Sequence, residues 1–181
     1  MILTLQLRER SQCSLKITFL QNTILTGYTK CPIGIIEIKA FDNALVSVKI
    51  LSEDLLNNVL ESTDSDIINE AKKQLQEYFN NKRKVFDLEI ASVGTEFQQK
   101  VWKVLLNIPF GKVKTYGQIA IELGAKEFTR TVGNANGKNP LWILVPCHRV
   151  IGSNSKLTGY AGGLWRKQWL LEHESKQSKL F

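Results

Sequence analysis

Residues 141–151 read LWILVPCHRVI, and the fold of the whole second half hinges on how that stretch is read. Five apolar residues precede Pro146 and two follow Arg149, which is the length and composition of a buried strand. A thiol, an imidazole and a guanidinium stand in the middle of it, and buried polar groups cost free energy unless they are paired. On an extended strand Cys147 and His148 point to opposite faces. They form a working pair only if the backbone turns, and Pro146 favours such a turn because it fixes its own φ and offers no N–H to a ladder. A free cysteine is mostly protonated at neutral pH, so a nucleophilic Cys147 needs a base, and a histidine base needs a third group to orient it. Glu172 and Glu174 end an apolar helical run, LWRKQWLLEHE at 164–174, that could fold back on the thiol. The plainer alternative is a buried structural cysteine with no chemistry.

Two glycine-rich stretches bracket the run: RTVGNANGKNP at 130–140 and GYAGGL at 159–164. Such loops allow close backbone approach to a flat or phosphorylated ligand, although they also occur as simple surface turns. Further upstream, Thr95 with Gln98 and Thr115 with Gln118 both match a capping box. The first opens a helix with Phe97, Val101, Trp102, Leu105 and Ile108 on one face, stopped at Pro109-Phe110-Gly111. The second opens a helix with Ile119, Ala120 and Leu123 inward and Gly124 at its end. A short helix over roughly 127–134 follows, so the pair is a candidate helix-turn-helix, a pattern that helix pairs in proteins without DNA also show.

The first half carries strand signals: SLKITFL at 14–20, GIIEIKAF at 34–41 and ALVSVKI at 44–50, the last two joined at Asp42-Asn43 as an antiparallel hairpin. Ile67, Ile68, Ala71, Leu75, Tyr78 and Phe79 then recur at helical spacing. This half reads as a structural unit, since no catalytic side chains cluster in it. The expected fold class is therefore α/β (α+β): a small α/β unit over 1–90 with antiparallel strands, and a mostly helical unit over 91–181. The stretch FDLEIASVG at 86–94 is the passage between them.

The 181 residues suffice for a substantial core, and 43% hydrophobic with 23% charged residues describes an ordinary globular chain. No apolar stretch is long enough to span a bilayer, and MILTLQLRERSQC lacks the marks of a signal peptide, so a cytoplasmic or nuclear location is expected. Net charge is +7 but uneven: from Thr95 onward 13 Lys+Arg oppose 5 Asp+Glu, whereas the first 94 residues hold 11 and 12. An anionic partner for the second half is expected, nucleic acid first, although a solvated basic face gives the same count. Cys13, Cys31 and Cys147 lie far apart, and the histidines are His148 and His173, so no zinc spacing exists and no metal or cofactor is expected.

PCHRV, RTVGNANGKNP, TYGQIA, GYAGGL and WLLEHE, in this order and spacing, resemble the O6-alkylguanine-DNA alkyltransferases (methylated-DNA-protein-cysteine methyltransferases). The likeness covers residues 95–174 and continues more loosely upstream. It implies a ribonuclease-H-like first unit and an alkyl-acceptor second unit. It also implies DNA repair by direct damage reversal, with double-stranded DNA containing O6-alkylguanine as the partner and O4-alkylthymine as a further substrate. The alkyl group passes once and irreversibly to Cys147, on a monomeric protein. His148 draws the thiol proton through a water while Glu174 orients the imidazole, Asn139 holds the active-site segment together, and Tyr116 assists the leaving guanine. Tyr160 and the backbone of Ala161 bind the base's polar edge. Backbone carbonyls near Cys147 and Val150 accept from its amine. Arg130, near Gly133 on the same segment, fills the gap left by the flipped nucleotide.

The pattern is departed from at Phe128, where a small residue is usual, and at Trp142, where a smaller apolar residue or proline is usual. The first 20 or so residues have no counterpart. Three rival readings stand beside this one: an alkyltransferase-like lesion binder without transfer, which would lack the cysteine that is present here; a helix-turn-helix regulator; and a papain-like hydrolase, whose cysteine opens a helix.

Overall fold

The computed structural model describes residues 23–51, 62–63, 65–124 and 126–178. The strand expected over 14–20 lies outside them. Three strands, β1 (Leu25–Cys31), β2 (Gly34–Phe41) and β3 (Ala44–Leu51), form an antiparallel meander. The β2–β3 hairpin lies where the sequence predicts it. Asp42 and Asn43 hold φ of 47° and 59°, the left-handed pair that matches the twist of a tight hairpin. Strand β1 was not expected, because LTGYTKC interleaves glycine and lysine with few apolar residues; its pairing with β2, from Leu25↔Ala40 to Cys31↔Gly34, supplies what its own composition does not.

Helix α1 (Asp66–Phe79) lies across this sheet and buries Ile68, Ala71, Leu75 and Tyr78, the spacing read from the sequence. Its close approach depends on Gly27, where a Cβ would stand 2.2 Å from the Ile68 side chain. The sheet is also tied to the second half. On β3, Leu45 exchanges backbone hydrogen bonds with Glu89 and Ala91, and Val48 with Pro140 and Trp142, all at 2.8–2.9 Å. One hydrophobic core runs from Ile36 and Ile38 of β2 through Tyr78 to Val101, Leu141 and Leu170.

The helices of the second half are α2 (Glu96–Leu106), α3 (Tyr116–Glu122), α4 (Thr129–Gly137) and α5 (Leu164–Ser178). Both capping boxes are present, with Thr95 and Thr115 accepting from Gln98 N–H and Gln118 N–H and each glutamine returning the bond. Helices α3 and α4 pack together as the expected pair. A 3-10 turn, Lys126–Phe128, leads into α4, which runs three residues beyond the expected end.

The stretch 141–151 is not a strand. Leu141 makes a single bridge to Val48 of β3, Val150–Ile151 (β5) pairs in parallel with Lys114–Thr115 (β4), and Cys147–Arg149 between them is a 3-10 turn. Three things break the run. Ile143 sits at φ 73°, a strained conformation for a β-branched residue; Val145 N–H bonds back to Leu141 O at 2.9 Å; and Pro146 precedes the thiol.

Candidate active site

Cys147, His148 and Arg149 are all buried, at 2%, 0% and 6% exposure, and the turn resolves the problem of three polar groups in an apolar run. Asn139 makes the turn possible. Its Nδ2 donates to Val145 O at 2.9 Å, its Oδ1 accepts from Leu141 N–H at 3.0 Å, and its own carbonyl accepts from Trp142 Nε1 at 3.1 Å. The Cys147 carbonyl accepts from Val150 N–H and, at 3.3 Å, from Asn136 Nδ2 on α4. Both of its lone pairs are therefore occupied.

The compensating charge comes from α5. Lys167, Leu170 and Glu174 follow one another at i, i+3 and i+7, so the buried face of this helix carries an acid and a base. Glu174 Oε1 lies 2.8 Å from His148 Nε2, 2.9 Å from the Tyr78 hydroxyl and 3.0 Å from Arg149 Nη2. Oε2 accepts from Arg149 Nε at 2.9 Å and Gly111 N–H at 3.1 Å. Arg149 also donates through Nη1 to Ile108 O at 2.6 Å and lies over the Phe110 ring. Glu172, the other acid at the end of the run, is exposed and pairs with Gln168.

These contacts set the protonation states. Burial alone would raise the Glu174 carboxyl, but His148 and then Arg149 together hold it well below the usual carboxylate range. Burial lowers His148 and outweighs the attraction of Glu174, so the imidazole is neutral at pH 7. Because the carboxylate can only accept, the ring proton sits on Nε2, and Nδ1, which has no hydrogen-bond partner in the protein, carries the free lone pair. Burial pushes the Cys147 thiol up to about 11, partly offset by the Asn139 side chain and the Lys167 ammonium. A protonated thiol followed by an imidazole with a bare, basic nitrogen is the arrangement of a nucleophile that gives up its proton only during reaction.

Tyr116 opens α3, and its hydroxyl donates to the carbonyls of Thr158 and Gly159 at 3.3 and 3.4 Å. Lys167 Nζ, fully buried, donates to the same carbonyls at 2.7 and 3.5 Å. Burial brings this lysine down to about 8, with the nearby Cys147 acting in the opposite sense. Gly133 of α4 faces the Tyr116 ring, which a Cβ there would meet at 3.9 Å. The Tyr160 ring packs on Trp142 with centroids 5.4 Å apart, and its buried hydroxyl has no partner in the protein. Gly162 allows this packing, because a Cβ there would stand 2.7 Å from the Trp142 ring and 2.9 Å from that of Tyr160. Ala161 and Arg130 are exposed, and Val150 is fully buried. Phe128 packs edge-on against Phe97 with centroids 5.9 Å apart and remains 40% exposed.

Sequence reasoning missed three members of the site: the pairing of Arg149 with Glu174, the buried Lys167, and Tyr78. The i, i+3, i+7 spacing on α5 was the signal for Lys167. Tyr78 carried none, since an aromatic at helical spacing reads as core. Among the described residues no group of three or more His, Cys, Asp or Glu could hold a metal, and no helix is long and apolar enough to cross a membrane.

Two family models match, the ribonuclease-like domain of 6-O-methylguanine DNA methyltransferase over residues 24–92 and its DNA-binding domain over residues 96–176. The methylated-DNA--protein-cysteine methyltransferase of Mycobacterium bovis is 43% identical over 148 residues, covering 81% of this chain and 90% of that protein. The crystal structure of Mycobacterium tuberculosis O6-methylguanine methyltransferase superposes with a TM-score of 0.75 at 39% identity, covering 86% of this chain and 94% of that one. The same mycobacterial protein in complex with DNA also gives 0.75, at 41% identity and coverages of 84% and 93%. With both halves matched in order and relatives this similar along nearly their full length, the chain belongs to the 6-O-methylguanine DNA methyltransferase family.

Proposed function

We propose that this protein repairs DNA by direct reversal, moving the alkyl group of O6-alkylguanine, and of O4-alkylthymine, irreversibly to the sulfur of Cys147. The observation that carries the proposal is the His148 imidazole, with Nε2 fixed on Glu174 and Nδ1 unengaged, on the residue that directly follows a buried thiol. In the reaction Cys147 loses its proton through a water to His148 Nδ1, sulfur attacks the alkyl carbon, and the carbon–oxygen bond breaks. The electron pair stays on guanine, which takes up a proton at the ring with help from the Tyr116 hydroxyl. That hydroxyl must first leave the Thr158 and Gly159 carbonyls, a shift that entry of the base drives. Because the thioether has no route back, each molecule reacts once.

Asn139 keeps the turn in shape for this step. Tyr160 and the Ala161 backbone meet the polar edge of the base, and the Val150 carbonyl accepts from its amine, the Cys147 carbonyl being occupied. A base inside a duplex is out of reach of a buried thiol, so the nucleotide must be extruded at a cost of a few kcal/mol. Exposed Arg130 on α4, with Gly133 a turn away, inserts into the vacated stack, and the basic second half contacts the phosphates. On this reading residues 1–90 are a ribonuclease-H-like support and 91–181 the DNA-binding and acceptor unit. The protein works as a monomer on double-stranded DNA, in the cytoplasm of a bacterium or the nucleus of a eukaryote, and no cofactor takes part. The test is stoichiometry: incubation with an O6-methylguanine duplex must methylate one cysteine per molecule, and Cys147→Ala must abolish the transfer.

A further inference from the structure

The first half of the chain is not only a support. Tyr78, fully buried on α1, brings its hydroxyl to 2.9 Å from Glu174 Oε1, the oxygen that also faces His148 Nε2. Among the described residues, no other side chain from before residue 95 is hydrogen-bonded to Glu174, His148 or Arg149. The direction of this bond is fixed, because an ionised carboxylate can only accept. Burial, followed by the charge of Glu174, also holds the phenol well above its ordinary range, so it remains a donor at any working pH. The ring itself is clamped. Phe79 and Phe110 meet it edge-on with centroids at 5.2 and 6.1 Å, and Phe86 and His173 lie at 5.6 and 5.2 Å.

A hydroxyl on a clamped ring fixes the rotation of the carboxylate it binds, and that carboxylate fixes the imidazole. We propose that Tyr78 is a positioning residue for the alkyl transfer, its hydroxyl holding the Glu174 carboxylate in register with His148 so that α1 of the first half sets the orientation and basicity of the base that serves Cys147. The inference rests on the proposed function and deepens it. The groups that face His148 are Glu174 and Lys167 from α5, Arg149 from its own turn, and Tyr78 acting through Glu174. Loss of the Tyr78 donor leaves more negative charge on Oε1 and strengthens its hold on the imidazolium, so His148 becomes easier to protonate.

The experiment compares three full-length proteins, wild type, Tyr78→Phe and Leu75→Val, by single-turnover methyl transfer from an O6-methylguanine duplex across pH. The His148 imidazole is titrated by NMR in the same samples. Leu75 is buried on the same face of α1 and has no polar group with which to hold Glu174, so its trimming reports packing loss alone. Tyr78→Phe is expected to transfer on the order of tenfold more slowly, with its acid limb and the His148 titration both raised by roughly one pH unit. Leu75→Val keeps both where wild type has them. Wild-type behaviour of Tyr78→Phe, or a rate loss with an unmoved His148 titration, overturns the proposal. If Tyr78→Phe does not fold, 3-fluorotyrosine at position 78 alone, a stronger donor, must lower the His148 titration, and no shift or an upward one overturns the proposal equally. A wild type that binds the lesion without transfer refutes the proposed function instead, while the His148 titration still decides whether the Tyr78 hydroxyl governs the imidazole.

Discussion

Asn136, on the inner face of α4, donates through Nδ2 to the carbonyl of Cys147 at 3.3 Å. The helix whose outer face carries Arg130 is therefore bonded directly to the turn that carries the thiol. The placement of α4 and the aim of Cys147 are one mechanical unit. Trp102 of α2 extends the unit by donating from Nε1 to Ala135 O at 3.0 Å.

Asn136→Ala removes one of the two donors to the Cys147 carbonyl, which retains Val150 N–H. The loss of one buried hydrogen bond costs about 1 kcal/mol, and the thiol turn gains freedom. Thermal melting should report a modest drop, and single-turnover kinetics a slower transfer with duplex affinity unchanged. An unaltered rate would uncouple α4 from the thiol.

The protonation states predict a pH profile. His148 is depressed by burial below its ordinary value of about 6.5, so wild-type transfer stays flat from pH 8 to pH 6.5 and declines only under more acidic conditions. In His148→Ala the thiolate must form without a base, and because Cys147 lies near 11, the rate should climb about tenfold per pH unit through pH 7 to 9. A flat profile for this variant would remove His148 from proton transfer.

Glu174 neutralises Arg149 where both are buried. Glu174→Ala leaves that guanidinium without its counter-charge and should cost about 3–5 kcal/mol of stability, whereas Glu174→Leu combined with Arg149→Met should recover much of the loss. Both titrations act in one direction with pH. The folded-state values of Glu174 and His148 lie below their unfolded values, so their contribution to stability is present above about pH 6.5 and is lost as pH falls, first through His148 and then, below about pH 4, through Glu174. Melting temperature measured from pH 8 to pH 4 checks the sign. A rise on acidification contradicts it.

Arg130 is exposed on α4, and under the proposed function its task is to fill the stack that a flipped nucleotide leaves. Arg130→Ala should therefore slow repair of duplex far more than reaction with a free O6-alkylguanine base, which has no stack to fill. Equal losses on the two substrates would assign Arg130 to the pocket instead.

Local rules were legible wherever a residue acts on its near neighbours. The capping boxes at Thr95 and Thr115, the Asp42-Asn43 hairpin and the buried face of α1 follow from spacing and turn chemistry. Strand β1 was hidden because its partner, β2, provides the stability that its own residues lack. The 141–151 run misled for a related reason. Its composition is that of a strand, but the side chain of Asn139 bonds to Leu141 and Val145 and outweighs that preference. Cys147, His148 and Glu174 were visible as types at plausible positions. The Tyr78 bond to Glu174 joins residues 96 positions apart, and no local pattern encodes a contact of that range.

The most direct measurement is intact-protein mass spectrometry with peptide mapping after incubation with a duplex containing a single O6-methylguanine. The account predicts a gain of one methyl group, on Cys147, stoichiometric with protein and without turnover. Tight binding to the lesion with no gain in mass, or methyl on Cys13 or Cys31 instead, would contradict it.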